Sequence, residues 1–161
     1  MGRVTPFLWF DKNAEEAMNF YTSVFKDSKI VSVTRYPEGP LEGPMAGMEG
    51  KVLTAVFELN GQQFMALDGG PVFKFNEAVS FQVDCETQEE VDELWEKLSA
   101  VPESEQCGWL KDRFGLSWQI IPTALPRLMS DPDPAKAKRV TDAMLKMKKI
   151  DIAALEAAAS A

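Results

Sequence analysis

The sequence predicts an α+β fold: two tandem βαβββ modules forming a curved-sheet cup, followed by a C-terminal helical extension. Three observations carry this prediction. Phe7-Leu8-Trp9-Phe10-Asp11-Lys12-Asn13-Ala14-Glu15-Glu16-Ala17 returns 74 positions later as Phe81-Gln82-Val83-Asp84-Cys85-Glu86-Thr87-Gln88-Glu89-Glu90-Val91. A second echo closes each half, Gly61-Gln62-Gln63-Phe64-Met65-Ala66-Leu67 against Gly115-Leu116-Ser117-Trp118-Gln119-Ile120-Ile121. Beyond Pro122 the pattern turns helical. The expected boundaries are therefore 1–70 for the first module, 71–132 for the second, the two forming one domain, and 133–161 for the extension.

Each element has a local reason. Residues 4–10 read as a strand and 14–25 as a helix, with Ala14, Ala17, Met18, Tyr21, Val24 and Phe25 on one face. A capping box opens each helix: Asn13 or Thr87 accepts from the first free N–H groups, and Glu16 or Glu90 reaches back three residues. Residues 29–36 are β-branched and alternating, hence a strand. Proline and glycine punctuate 37–51, a long loop that holds Met45 and Met48. Strands at 52–59 and 63–68 flank Asn60-Gly61, a tight-hairpin dipeptide. In the second module a strand at 78–84 precedes a helix at 88–99 that buries Val91, Leu94, Trp95 and Leu98. A compressed strand region spans 104–111, and a last strand runs 116–121 until Pro122 ends it. Asp133-Pro134 is an N-cap with proline at the first helical position. The helix it starts carries Val140, Ala143, Met144 and Met147 on one face. Asp151 caps a last short helix.

Composition narrows the function classes. The chain has 161 residues, 45% of them hydrophobic and 26% charged, as in ordinary globular proteins. No apolar run reaches the ~18 residues of a membrane span. The start of the chain lacks a signal-peptide pattern, so the cytoplasm is the expected location. Residues 1–133 carry 22 acidic and 11 basic side chains, whereas 134–161 carry 3 and 6. An acidic body repels phosphate backbones, which argues against nucleic acid as a partner. The basic tail alternates charge with apolar residues and is expected to dock on a protein surface. Cys85 and Cys107 have no metal-like spacing.

Several stretches together resemble one family. They are Pro6-Phe7-Leu8-Trp9-Phe10, Phe64-Met65-Ala66-Leu67-Asp68-Gly69-Gly70-Pro71, Phe73-Lys74-Phe75-Asn76-Glu77, and Cys107-Gly108-Trp109-Leu110-Lys111-Asp112 leading into Gly115-Leu116-Ser117-Trp118-Gln119. With the duplicated plan they resemble the PhnB-like branch of the vicinal oxygen chelate (glyoxalase/bleomycin-resistance/dioxygenase) superfamily, over about residues 4–122. Some relatives carry a demethylubiquinone methyltransferase label, but no strand here leads into a glycine-rich loop and helix for an adenosyl cofactor. The resemblance also implies a divalent metal held by the first and last strands of each module. Those positions here are Pro6, Met65, Ala78 and Gln119, and the chain has no histidine. A lone amide oxygen is a poor transition-metal ligand, so neither a metal nor another cofactor is expected.

The candidate chemistry is sparse. Gln119 sits mid-strand, turned inward with Ser117 while Trp118 packs outward. It either orients a ligand carbonyl or hydroxyl, or is a satisfied polar core residue. Cys107 is a nucleophile only if Lys111 or Arg113 activates it, and otherwise an inert thiol. Lys111-Asp112-Arg113 reads as a solvated hairpin tip. Asp68 is a general base or a turn former. Leu8, Phe10, Met65, Gln119, Trp109, Met45 and Met48 are the expected ligand-binding set, over one sheet face between the modules and under the 37–51 loop. The acidic run from Asp84 to Glu96 is explained by helix-dipole support and solvation.

The function expected is a PhnB-like, metal-independent cavity that binds a small organic molecule, in a homodimer. The alternatives are a drug- or toxin-sequestering protein of the bleomycin-resistance kind, and a metal-dependent lyase, isomerase or dioxygenase with non-standard ligands. A third is a non-catalytic interaction protein whose tail mediates assembly.

Overall fold

The computed structural model describes residues 2–161, which divide into two compact units, 2–74 and 75–161. The fold is the mixed α+β arrangement expected, with one sheet in each unit.

The first unit runs β1 (Phe7–Phe10), α1 (Ala14–Val24), β2 (Lys29–Arg35), β3 (Val52–Leu59) and β4 (Gln62–Asp68), with sheet order β1-β4-β3-β2. β1 lies parallel to β4, and the other pairs are antiparallel. Asn60 and Gly61 have φ of 50° and 86°, the left-handed pair that a two-residue hairpin requires. The apolar stripe of α1 is buried as its spacing predicts, at Ala14, Ala17, Met18, Tyr21 and Val24. The core face of the sheet supplies Leu8, Phe10, Ala66, Phe57 and Phe64. The last two rings stack at 5.4 Å.

The start of α1 differs from expectation. The Asn13 side chain makes no capping bond. Instead Asp68 Oδ1, at the end of β4, accepts from the Ala14 N–H at 2.9 Å, and Oδ2 accepts from the Val52 N–H at 2.9 Å. A carboxylate from across the unit thus serves the helix dipole and starts β3. Trp9 packs edge-on to Phe73 at 4.9 Å and donates its indole N–H to the Gly70 carbonyl. A Cβ on Gly69 would fall 2.2 Å from the Trp9 ring, so this position must be glycine.

The second unit runs β5 (Ser80–Cys85), α2 (Gln88–Leu98), β6 (Trp109–Lys111), β7 (Ser117–Pro122), α3 (Ala124–Met129), α4 (Pro134–Met144) and α5 (Ile152–Ser160). Its sheet order is β5-β7-β6, again with first and last strands parallel. The counterpart of β2 is missing. The ten residues 99–108 between α2 and β6 hold a 3-10 turn at Pro102–Ser104 and one isolated bridge, which leaves no run long enough for that strand. The second module is therefore βαββ.

Thr87 Oγ1 caps α2 by accepting from the Glu90 N–H, while the Glu90 carboxylate accepts from Glu86 N–H, one residue earlier than a standard capping box. Trp118 turns toward the helix side and is buried. Its indole N–H donates to Asp112 Oδ2 at 2.9 Å, and Oδ1 accepts from the Phe114 and Leu116 N–H groups. Asp112 is 1% exposed, so this turn is a buried anchor rather than a solvated tip. Only Arg113 in it is exposed, and Lys111 pairs with Glu77.

The extension docks within the second unit. Val140, Ile150, Leu155 and Ala159 join Ile121, Leu125 and Leu128 in one apolar cluster, with Met129, Met144 and Met147 against it. Asp133 and Asp151 cap α4 and α5 as their positions predict. Met147 lies past the end of α4, in the α4–α5 connection. The helix α3 is an addition to the sequence reading, which left 123–132 unassigned. Polar ties hold the layer. Gln88 Nε2 donates to the Ile150 carbonyl, and its Oε1 accepts from Ile152 N–H. Lys149 pairs with Asp92 at 2.8 Å. Among the described residues no helix is long and apolar enough to cross a membrane.

Candidate functional site

The alternation of β5, β6 and β7 sorts the second sheet into two faces. The register pairs Gln119 with both Gln82 and Trp109, and Ile121 with Asp84. These residues share the face opposite to Trp118, Leu110 and Ile120. A cavity of about 530 Å³ opens there. Gln82, Trp109, Gln119 and Ile121 form its floor. Leu125, Pro126, Met129 and Ser130 form one wall, and Met144 and Leu145 another, with Cys107 at the junction. One wall therefore comes from α3 and its end, and the other from the extension.

The polar groups of this cavity are held in place. Gln119 Nε2 donates to Ser80 Oγ at 2.9 Å, and Gln82 Nε2 donates to Asp84 Oδ1 at 2.9 Å. Ser130 Oγ donates to the Pro126 carbonyl at 2.8 Å. Cys107 sits at φ 51°, followed by Gly108 at φ 86°. This strained turn aims two backbone N–H groups at the extension: Cys107 N–H donates to the Met147 carbonyl and Gly108 N–H to Lys148, both at 2.8 Å. The Cys107 thiol contacts the Leu145 carbonyl at 3.6 Å. A Cβ on Gly108 would lie 2.8 Å from Ile121 Cδ1 and 3.2 Å from Ile150 Cγ1, so glycine allows the close approach.

The structure divides the residues singled out from the sequence. Gln119, Trp109 and Cys107 line this one cavity. Leu8, Phe10, Met65, Met45, Met48 and Asp68 belong to the first unit. The expectation that Leu8, Phe10 and Met65 share a face is corrected by the strand register. Phe7 pairs with Met65, and Leu8 with Ala66. Leu8 and Phe10 thus lie in the α1-side core, at 6% and 3% exposure, while Met65 turns to the other face with Phe7 and Trp9. In the 37–51 loop Met48 is buried and Met45 is exposed. Tyr36 N–H donates to the Lys51 carbonyl and closes the loop at its base. Both oxygens of Asp68 are committed to backbone N–H groups, so it forms no turn of its own.

Sequence reasoning missed Gln82, Ser130, Met129 and Met144 as cavity residues. Gln82 was legible as the repeat partner of Leu8, a polar residue where the first copy is apolar. The wall from α3 was not, because helix docking is a long-range choice. Cys85 is fully buried, and burial, with the Glu90 and Asp84 charges, pushes its thiol up to about 11.

The chain does not fit the metal of the oxygen-chelate pattern. At the four positions only Gln119 offers a donor, and its amide nitrogen already faces Ser80. Among the described residues no three His, Cys, Asp or Glu side chains are grouped to hold an ion. Nor do the described residues form an adenosyl cradle. The connections from β1 to α1 and from β5 to α2 are Asp11-Lys12-Asn13 and Glu86-Thr87, without the glycines that let a backbone approach a nucleotide.

Comparison with known proteins places the chain among relatives. Residues 2–121 match the family model described as 3-demethylubiquinone-9 3-methyltransferase. The PhnB protein of Bacillus cereus is 45% identical, covering 76% of this chain and 100% of its own, with a TM-score of 0.63. A protein from Pseudomonas aeruginosa is 19% identical, covering 76% and 98%, with a TM-score of 0.58. The fosfomycin resistance protein FosX of Listeria monocytogenes, 13% identical over 78% and 94%, has a TM-score of 0.54. The last two share the fold. No curated protein matches the chain.

Proposed function

We propose that this chain, which belongs to the PhnB-like family described as 3-demethylubiquinone-9 3-methyltransferase, binds a small organic molecule in the cavity of its second unit without a metal. One observation carries the reading. A cavity of about 530 Å³ combines a Trp109 and methionine lining with the fixed amides of Gln119 and Gln82. That is the usual make-up of a small-molecule site: mostly apolar, with a few placed polar groups. Met129 and Met144 adapt to an irregular apolar body. Among the described residues the Gln119 carbonyl oxygen has no donor, which leaves it to accept from a ligand hydroxyl or N–H. One such bond is worth about 0.5–1.5 kcal/mol.

The test uses 2-naphthylmethanol, an aromatic body with one hydroxyl, titrated into protein labelled at the methionine methyl groups. Met129 and Met144 signals should shift in a saturable way, and Gln119→Leu should weaken binding by about 2- to 10-fold. Shifts confined to the first unit's methionines, or none at all, would remove the proposal. A homodimer is part of the same reading, and sedimentation velocity tests it: a monomeric coefficient at micromolar concentration would discard that part alone.

A further inference from the structure

The polar lining of the second-unit cavity is neutral, with several acceptor atoms and no cation. Gln119 commits an amide proton to Ser80, and Gln82 one to Asp84, and neither acceptor lines the cavity. Both carbonyl oxygens are left without a donor among the described residues, and each amide keeps one further N–H. Ser130 commits its hydroxyl proton to the Pro126 carbonyl and retains its lone pairs. The Cys107 thiol faces the Leu145 carbonyl. Trp109 offers a neutral indole N–H and an aromatic face.

No lining residue is cationic. The basic residues adjacent in sequence to the walls are Arg127 and Lys146, and neither lines the cavity. Arg127 pairs with Glu156 at 3.1 Å. The charge beside the floor, on the same sheet face, is acidic: Asp84, which holds the Gln82 amide. A carboxylate or phosphate here would find only neutral N–H groups, no counter-charge, and the Asp84 carboxylate close by, so desolvation and repulsion would oppose it. A ligand N–H or ammonium would meet acceptors and the Trp109 face, which attracts cations.

We infer that the cavity selects ligands that carry a hydrogen-bond-donating head, above all an organic amine in its ammonium form, on an apolar body, and rejects anions of the same shape. This rests on the cavity reading above and deepens it by naming the ligand class. Positioning of the two amides through Ser80 and Asp84 sets the selectivity.

Three probes of one shape test it: 2-naphthylmethylamine, 2-naphthylmethanol and 2-naphthoate, each titrated at pH 7 with the methionine methyl signals as readout. Titration in 0.5 M salt screens the general attraction of an acidic protein for cations. The amine should bind at least tenfold more tightly than the naphthoate, with the alcohol between them. In the double variant Gln82→Met, Gln119→Met the amine's advantage should fall below threefold. Naphthoate binding as tightly as the amine, at Met129 and Met144, would overturn the inference while leaving the cavity reading intact. Failure of all three probes to shift those signals would overturn both. If the double variant does not fold, the three-probe ranking on the native chain still decides.

Discussion

Single residues fix the two units through buried acceptors and close approaches. Asp112 takes three N–H groups inside the second unit, and Asp112→Ala would orphan them, two of them where they are buried. At about 1–3 kcal/mol for a buried unsatisfied group, partly relieved by relaxation, the variant should lose about 2–4 kcal/mol in urea unfolding. Gly108→Ala should also destabilise, because the position needs φ of 86° and its Cβ would press on Ile121 and Ile150. Thiol chemistry gives a third residue-scale prediction. With its thiol pushed up to about 11 and no exposure, Cys85 stays protonated and shielded at pH 8. Native protein should therefore leave one thiol unreacted with a disulfide reagent at that pH, and urea should release it. Two thiols reacting at once in the native state would contradict the burial. Residue-scale reading of the sequence was weakest where a side chain serves a distant partner. Asp68 resembles a turn former because Gly69-Gly70-Pro71 follow it, yet its partners are Ala14 and Val52. Nothing local to either sequence position announces that.

At the scale of elements, periodicity was the dependable guide. The stripe of α1, the Asn60-Gly61 hairpin and the caps Asp133 and Asp151 are all local signals, and all formed as read. What was illegible depended on chain length and docking. The missing strand of the second module follows from a connection of only ten residues between α2 and β6, a length visible only once those two elements have fixed ends. The extension is the element with the most to test. Truncation after Asp131 removes Val140, Ile150 and Leu155, each fully buried. At about 1.5–3 kcal/mol for each such side chain, the second unit should melt far below the first, or fail to fold. Its attachment also has a pH signature. Hydrogen bonds from Lys149 and then Gln88 hold the Asp92 carboxyl below the ordinary carboxylate value. A folded-state pKa below the unfolded one stabilises at pH above the unfolded value, and that stabilisation is lost as pH falls through the folded one. Acid should loosen the extension below about pH 4, and Asp92→Asn should flatten that dependence in hydrogen exchange of α5.

The duplication organises the whole molecule: each unit pairs its first and last strands in parallel and packs one helix on one face. The copies have since diverged in what each adds. The first keeps four strands and a closed 37–51 loop. The second gives up a strand and gains three helices, and those helices supply the walls of the cavity that Trp109 and Gln119 floor. Family membership and fold were legible from the repeated phrases; the cavity was half legible, because its floor lies on a strand and its walls come from packing. The most direct measurement of the central claim is a titration of 2-naphthylmethylamine into methionine-methyl-labelled protein, before and after exhaustive treatment with EDTA. A metal-independent cavity in the second unit predicts saturable shifts at Met129 and Met144 with the same affinity in both samples. Shifts at Met45 and Met65 alone, or binding that EDTA abolishes and a divalent metal restores, would contradict it.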